Sequence, residues 1–126
     1  MNIKNLIGET LEYIDIDEDN NQILLTTKSG KRIMIYHGQD CCENVRIVDT
    51  IGNWNNLIGK VIIDTDEEII SSSDKDGYDY RTEINLTFKV DSDTVISKWI
   101  GESNGYYSEN VDIQEFSVYE LLKYFG

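Results

Sequence analysis

A chain of 126 residues, 40% hydrophobic and 28% charged, has the size and composition of one folded domain, residues 1–126, with a modest core. Its 24 acidic against 11 basic residues give a net charge of −13, which disfavours direct binding of nucleic acid or anionic membrane and favours basic partners. No apolar run approaches the ~18–20 residues of a membrane-crossing helix, and "MNIKNLIGETLEY" lacks the basic and long apolar regions of a secretory leader, so a cytoplasmic location is expected.

Strand signals dominate in chain order. "ETLEYIDID" reads as a strand. "QILLTTKSGKRIMIYH" reads as two β-rich runs flanking "SG", which predicts a hairpin with a two-residue Ser29-Gly30 turn. In that register Lys28 faces Lys31, Thr26 faces Ile33 and Leu24 faces Ile35. Leu24, Ile33, Ile35 and His37 then share one face, while Ile23, Leu25, Met34 and Tyr36 share the other. Both faces are partly apolar, which predicts a central place in the sheet. "VRIVDTI" is a short strand, "GNWNNLIGK" a turn with one helical turn, and "KVIIDTDEEII" a strand with an acidic middle. "SSSDKDGYDY" reads as a polar loop or hairpin tip. "TEINLTFKV" alternates cleanly, with Ile84, Leu86, Phe88 and Val90 on one face. "DTVISKWIGE" and "GYYSENVDIQEF" read as strands joined through "ESNG", where Asn104-Gly105 is a strong hairpin signal. "SVYELLKYFG" reads as an amphipathic helix with Ser117 as N-cap and Glu120 as its capping-box partner. The expected fold is mainly β: an antiparallel curved sheet or partly open barrel of seven or eight strands with a short C-terminal helix. "NLIG" occurs at Asn5–Gly8 and again at Asn56–Gly59, which points to the same strand-anchoring device used twice.

The blocks "HGQDCCENV" (His37–Val45) and "WIGESNGYYSENV" (Trp99–Val111), with "NLIGKVI" between them, resemble an uncharacterised family of small phage and prophage proteins. Members of that family share an H-x-Q-D-C-C-E-x-V block and a W-x-G-E-S-N-G-Y-Y-S block. The resemblance covers most of the chain but not its last ten or so residues. It implies a phage-encoded, intracellular accessory protein.

The first block holds the sole histidine and both cysteines. Adjacent cysteines bridge poorly, so reduced thiols are expected. His37, Cys41 and Cys42 supply at most three zinc ligands, and adjacent residues on an extended chain point apart. A cysteine nucleophile paired with His37 would lack both an evident orienting group and an oxyanion loop. Packing is the stronger reading, because cysteine behaves as a small, commonly buried hydrophobe. No catalytic residue, metal or cofactor is expected.

Binding remains as the function to expect. Asp15, Asp17 and Asp19 fall on alternate positions and would share a strand face. Asp64, Asp66, Glu67 and Glu68 repeat the theme. Carboxylates so arranged can stand in for phosphates before a groove built for nucleic acid. Asn104, Tyr106 and Tyr107 mark a hairpin able to display an aromatic anchor. The leading expectation is a non-enzymatic inhibitor that binds a basic surface of a host defence protein, such as a CRISPR effector nuclease. A second is a sponge for a nucleotide signal of host immunity. For that role Arg32, Arg46 or Arg81 would sit beside Tyr36, Tyr106 or Trp99, in a site that could lie between subunits, or Tyr36, His37, Gln39, Asp40 and Glu43 would line a small-ligand pocket.

Overall fold

In the computed structural model, which describes residues 2–37, 44–73, 80–103 and 111–116, the alternating apolar runs become antiparallel strands. β1 spans Leu11–Ile16, β2 Gln22–Thr27, β3 Arg32–Tyr36 and β4 Asn44–Ile51. β5 spans Asp64–Ser73, β6 Tyr80–Lys89, β7 Thr94–Ser103 and β8 Asp112–Phe116. The chain is mainly β, as expected, but these strands form two four-stranded sheets, ordered β1-β2-β3-β8 and β4-β7-β6-β5, in place of one curved sheet or partly open barrel. The alternation explains why. Each three-strand meander has one continuous apolar face, and two such faces are best removed from water together. Ile23, Leu25, Ile33 and Ile35 of the first sheet and Ile84, Leu86, Phe88 and Trp99 of the second belong to one buried cluster. The helix expected over Ser117–Gly126 lies outside the described residues. Helical structure within them is limited to two 3-10 helices, Ile3–Leu6 and Trp54–Leu57.

The β2–β3 hairpin is central, as its two partly apolar faces predicted, but its register differs by one residue from the expected one. Leu25 pairs with Ile33, Leu24 with Met34 and Thr26 with Arg32. The turn therefore has three residues, Lys28-Ser29-Gly30. The Thr27 amide donates to the Lys31 carbonyl at 2.9 Å, and the Gly30 amide donates to the Thr27 carbonyl at 3.1 Å. Gly30 adopts φ +93, the left-handed position that closes a three-residue hairpin. A one-residue slip exchanges the faces of one strand against the other. Ile23, Leu25, Ile33 and Ile35 thus all point inward, and Leu24 and Met34 meet on the outer face. The strand pattern of β6 is as expected, with Ile84, Leu86, Phe88 and Val90 all buried.

The repeated "NLIG" marks more than a local device. Each 3-10 helix opens on an asparagine whose side chain accepts from the backbone two residues on: Asn2 from Lys4 at 2.9 Å and Asn53 from Asn55 at 3.0 Å. Each buries its leucine, Leu6 or Leu57, and leads to a glycine at positive φ, Gly8 or Gly59. The two modules then bond reciprocally. The Gly8 amide donates to the Ile62 carbonyl, and the Gly59 amide donates to the Leu11 carbonyl, both at 2.8 Å. Leu11 and Ile62 occupy the same place, three residues after their glycines, and both are fully buried. The residue after each glycine clamps a turn of its own meander. Glu9 accepts from Ser29 and pairs with Lys31, whereas Lys60 donates to Ser92 and pairs with Asp93. The charges are inverted, and each clamp joins one serine and one opposite charge.

The same two-fold logic governs the fourth strands. β4 follows the first meander but pairs with β7 of the second; β8 follows the second but pairs with β3 of the first. The start of each overlaps the sequence Glu-Asn-Val-x-Ile, "ENVRI" and "ENVDI", whose Val45, Ile47, Val111 and Ile113 lie in or against the core. Ile47 pairs with Trp99, and Ile113 pairs with Ile35. The hairpin expected between the last two strands is therefore corrected: β7 and β8 are in different sheets. β8 instead gains burial for Ile113 beside Ile35 of β3, and Asn104 and Gly105 lie outside the described residues.

Candidate interaction surface

The acidic runs are placed very differently by the fold. Asp15 sits on the outer face of β1, paired with Leu24. The strand ends at Ile16, so Asp17 and Asp19 do not continue that face. Asp17 turns back into the chain reversal. Its Oδ1 accepts from the backbone amides of Asn21 at 2.8 Å and Gln22 at 3.1 Å. Asn20 completes this turn at φ 56, a left-handed position that asparagine tolerates. The expected shared face of Asp15, Asp17 and Asp19 is thus broken by a turn in which Asp17 has a structural task.

β5 carries out the pattern that β1 does not. Its register with β6 runs unbroken from Asp64 opposite Lys89 to Ser73 opposite Tyr80. Thr65 is buried and fixes the inward parity, so Asp64, Asp66 and Glu68 share the outer face at ~7 Å intervals. Glu67 and Ile69 take the inward parity yet are exposed, because β5 is the last strand of its sheet and overhangs the core. Asp64 Oδ1 accepts from the next backbone amide at 2.9 Å. Asp66, Glu67 and Glu68 have no ion-pair partner among the described residues. The Lys4 ammonium donates to the Thr65 carbonyl at 3.0 Å, and the Ile3–Leu6 helix lies against this strand.

A second feature lies on the outer face of the first sheet. Leu24 and Met34 floor a hollow of about 450 Å³, walled by Tyr13, Asp15, Gln22, Thr26 and Arg32. The Arg32 guanidinium has no hydrogen-bond or ion-pair partner among the described residues. Tyr36 is on the same face, its hydroxyl donating to Gln114 Oε1 at 2.7 Å. Sequence reasoning missed this hollow because it depends on the one-residue register that brings Leu24 beside Met34.

Of the other expected groupings, the described residues hold only parts. Trp99 is fully buried in the core and cannot stack on a ligand. Arg46 pairs with Glu102 at 3.3 Å, and Arg81 lies 3.9 Å from Glu83. His37 is half-buried at the end of the first meander and is not unpartnered. Gln39, Asp40, Cys41, Cys42, Glu43, Asn104, Tyr106 and Tyr107 lie outside the described residues. Among the described residues, no three His, Cys, Asp or Glu side chains gather as a metal site requires, and no helix is long and apolar enough to cross a membrane. The fold alters the titration of Glu9. Burial raises its pKa, but hydrogen bonds from Lys31 and Ser29, with the Lys31 charge, outweigh this and hold it below the usual glutamate value.

Searches of curated proteins and of solved structures found no match. A family model for a domain of unknown function, DUF7448, matches residues 4–113, and the chain belongs to that family.

Proposed function

We propose that this member of the family is a phage-encoded, non-enzymatic inhibitor that binds a basic, nucleic-acid-handling surface of a host defence protein, such as a CRISPR effector nuclease. One observation carries the reading: β5 presents Asp64, Asp66 and Glu68 at regular intervals on one outer face, exposed and next to Glu67, on a strand that is the last of its sheet among the described residues. Carboxylates in high dielectric attract a basic groove over a Debye length and accelerate encounter. Such an attraction weakens as salt is raised. The resemblance of the "HGQDCCENV" and "WIGESNGYYSENV" blocks to phage proteins supplies the setting.

The test is DNA cleavage by a panel of CRISPR effector nucleases in the presence of the full chain. Cleavage by at least one nuclease should be inhibited at low salt. Raised salt and the triple reversal Asp64→Lys, Asp66→Lys and Glu68→Lys should each relieve the inhibition. Inhibition unaffected by both would remove the acidic surface from the explanation, and inhibition of no nuclease would remove the proposal.

The outer hollow favours a second reading, a sponge for an anionic nucleotide. The Arg32 guanidinium, without a partner among the described residues, would meet a phosphate, and Tyr13 would cover the base. A rise in melting temperature with a cyclic dinucleotide or oligonucleotide, lost in Arg32→Ala, would place this reading first.

A further inference from the structure

The two sheets end in four edge strands, and three of them are interrupted or short. β1 has a register shift between Leu11 and Tyr13, and bridges at Thr10 and Leu11 tie its start to the segment before β5. β4 has a register shift between Ile47 and Asp49, and its Ile47 amide donates to the Asn20 carbonyl at 2.7 Å. β8 has five residues. Bulges, short length and cover are the usual ways in which a sheet edge is kept from pairing with another chain. β5 differs beyond its start, where the Ile3–Leu6 helix and the Lys4 ammonium lie against it: it has ten residues, an unbroken register, and no strand on its far side among the described residues.

Charge also protects edges, so the carboxylates of β5 require a closer look. They occupy its first half. The second half presents Ile69 and Ile70, 50% and 46% exposed, on opposite faces. The exposed isoleucines give the edge an apolar half beside its acidic one. A second copy of β5 laid antiparallel along this edge would bring its acidic half towards the isoleucines, and one laid parallel would oppose carboxylate to carboxylate. Neither arrangement neutralises the charges. A basic strand does.

We infer that the free edge of β5 is a strand-addition site for an extended, lysine- or arginine-bearing segment of a partner protein. Main-chain hydrogen bonds along Asp66–Ser73 would hold the segment. Its alternate side chains would lie on the outer face beside Asp64, Asp66 and Glu68, where cations fit, and the intervening ones would lie beside Glu67 and Ile69. Apolar residues would be accepted at the Ile69–Ile70 end. The inference rests on reading β5 as the acidic binding surface and adds the backbone geometry by which the partner is held.

The experiment uses the full chain and an eight-residue probe that alternates lysine with valine. A second probe has the same sequence with N-methyl groups on alternate backbone amides, on the edge that would face β5. Binding is measured across a salt series, and amide hydrogen exchange is followed with each probe. Strand addition predicts that the plain peptide slows exchange in the Asp66–Ser73 segment and that N-methylation weakens binding about tenfold or more, since several hydrogen bonds are lost together. Equal, salt-sensitive binding of both probes without slowed exchange would overturn strand addition while leaving the acidic surface in place. No salt-sensitive binding of either probe would overturn both. Slowed exchange confined to another strand would move the site away from β5.

Discussion

The first meander, β1-β2-β3, and the second, β5-β6-β7, start from the same module and finish differently. Both begin with an asparagine-capped 3-10 helix, a buried leucine and a left-handed glycine, and each receives its fourth strand from the other half of the chain. Beyond that shared frame, the first half has short hairpins, a shifted edge and a hollow on its outer face. The second has ten-residue strands and an acidic edge without a partner strand among the described residues. Parts that match carry the packing, and parts that diverge are free to carry binding. The comparison therefore separates the residues whose loss would unfold the protein from those on which the proposed binding rests.

The largest effects should come from the matched positions. Leu6 and Leu57 are each fully buried beneath their own helix turn. Truncating either to alanine removes the same atoms from the same kind of site, so each should cost about 2–5 kcal/mol of stability. Chemical denaturation of Leu6→Ala and Leu57→Ala checks this. A loss at one position with near-neutrality at the other would show that the two halves match in geometry but not in mechanical importance.

A smaller effect separates structural from displayed carboxylates. Asp17 caps two backbone amides in the β1–β2 turn, whereas Asp15 and Asp19 are exposed without such bonds. Asp17→Ala should cost about 1–2 kcal/mol, in the range of a lost capping interaction. Asp15→Ala and Asp19→Ala should stay within about 0.5 kcal/mol, as exposed surface changes do. Thermal melts of the three variants suffice. Equal losses for all three would mean that Asp17 is no more structural than its neighbours.

Much of this frame was legible in the chain. The strict alternation of "TEINLTFKV" identified the buried face of β6, because side-chain parity in a strand has only two values. The repeated "NLIG" identified both anchoring modules. The hairpin register was not legible, since "TTKSGKR" suits either a two-residue or a three-residue turn, and the choice rests on whether Leu25 or Leu24 joins the core. Sheet membership was hidden for a different reason. Val45, Ile47, Val111 and Ile113 are apolar in a way that fits either sheet, and only the crossing of the chain places each fourth strand in the opposite one. The site followed the same division. Four acids in "DTDEE" were readable as a charged strand, but the open edge that makes them a surface is a property of topology.

The finest comparison is between the two charge-inverted clamps. Glu9 joins Ser29 at 3.0 Å and Lys31 at 3.2 Å; Lys60 joins Ser92 at 2.8 Å and Asp93 at 3.3 Å. Glu9 has its folded-state pKa lowered, burial being outweighed by these bonds and by the lysine charge. A lowered carboxyl pKa means that the folded state binds fewer protons than the unfolded one near the titration. The stabilisation is then fully present above the unfolded glutamate value of ~4.3 and is lost as pH falls through the lower folded value. The pair is partly solvated, so at neutral pH Glu9→Gln should cost less than about 1 kcal/mol. That gap between wild type and variant should close as the pH is taken below ~4.3. The double variant Glu9→Lys with Lys31→Glu gives the first clamp the charge order of the second, and it should recover most of what Glu9→Lys alone loses. Denaturation of these variants across pH 3–7 distinguishes a clamp defined by geometry, in which either order of charge serves, from one that depends on a carboxylate at position 9. Failure of the double variant to recover stability would mean that the two halves use their clamps differently, and that the match between them ends at the glycine.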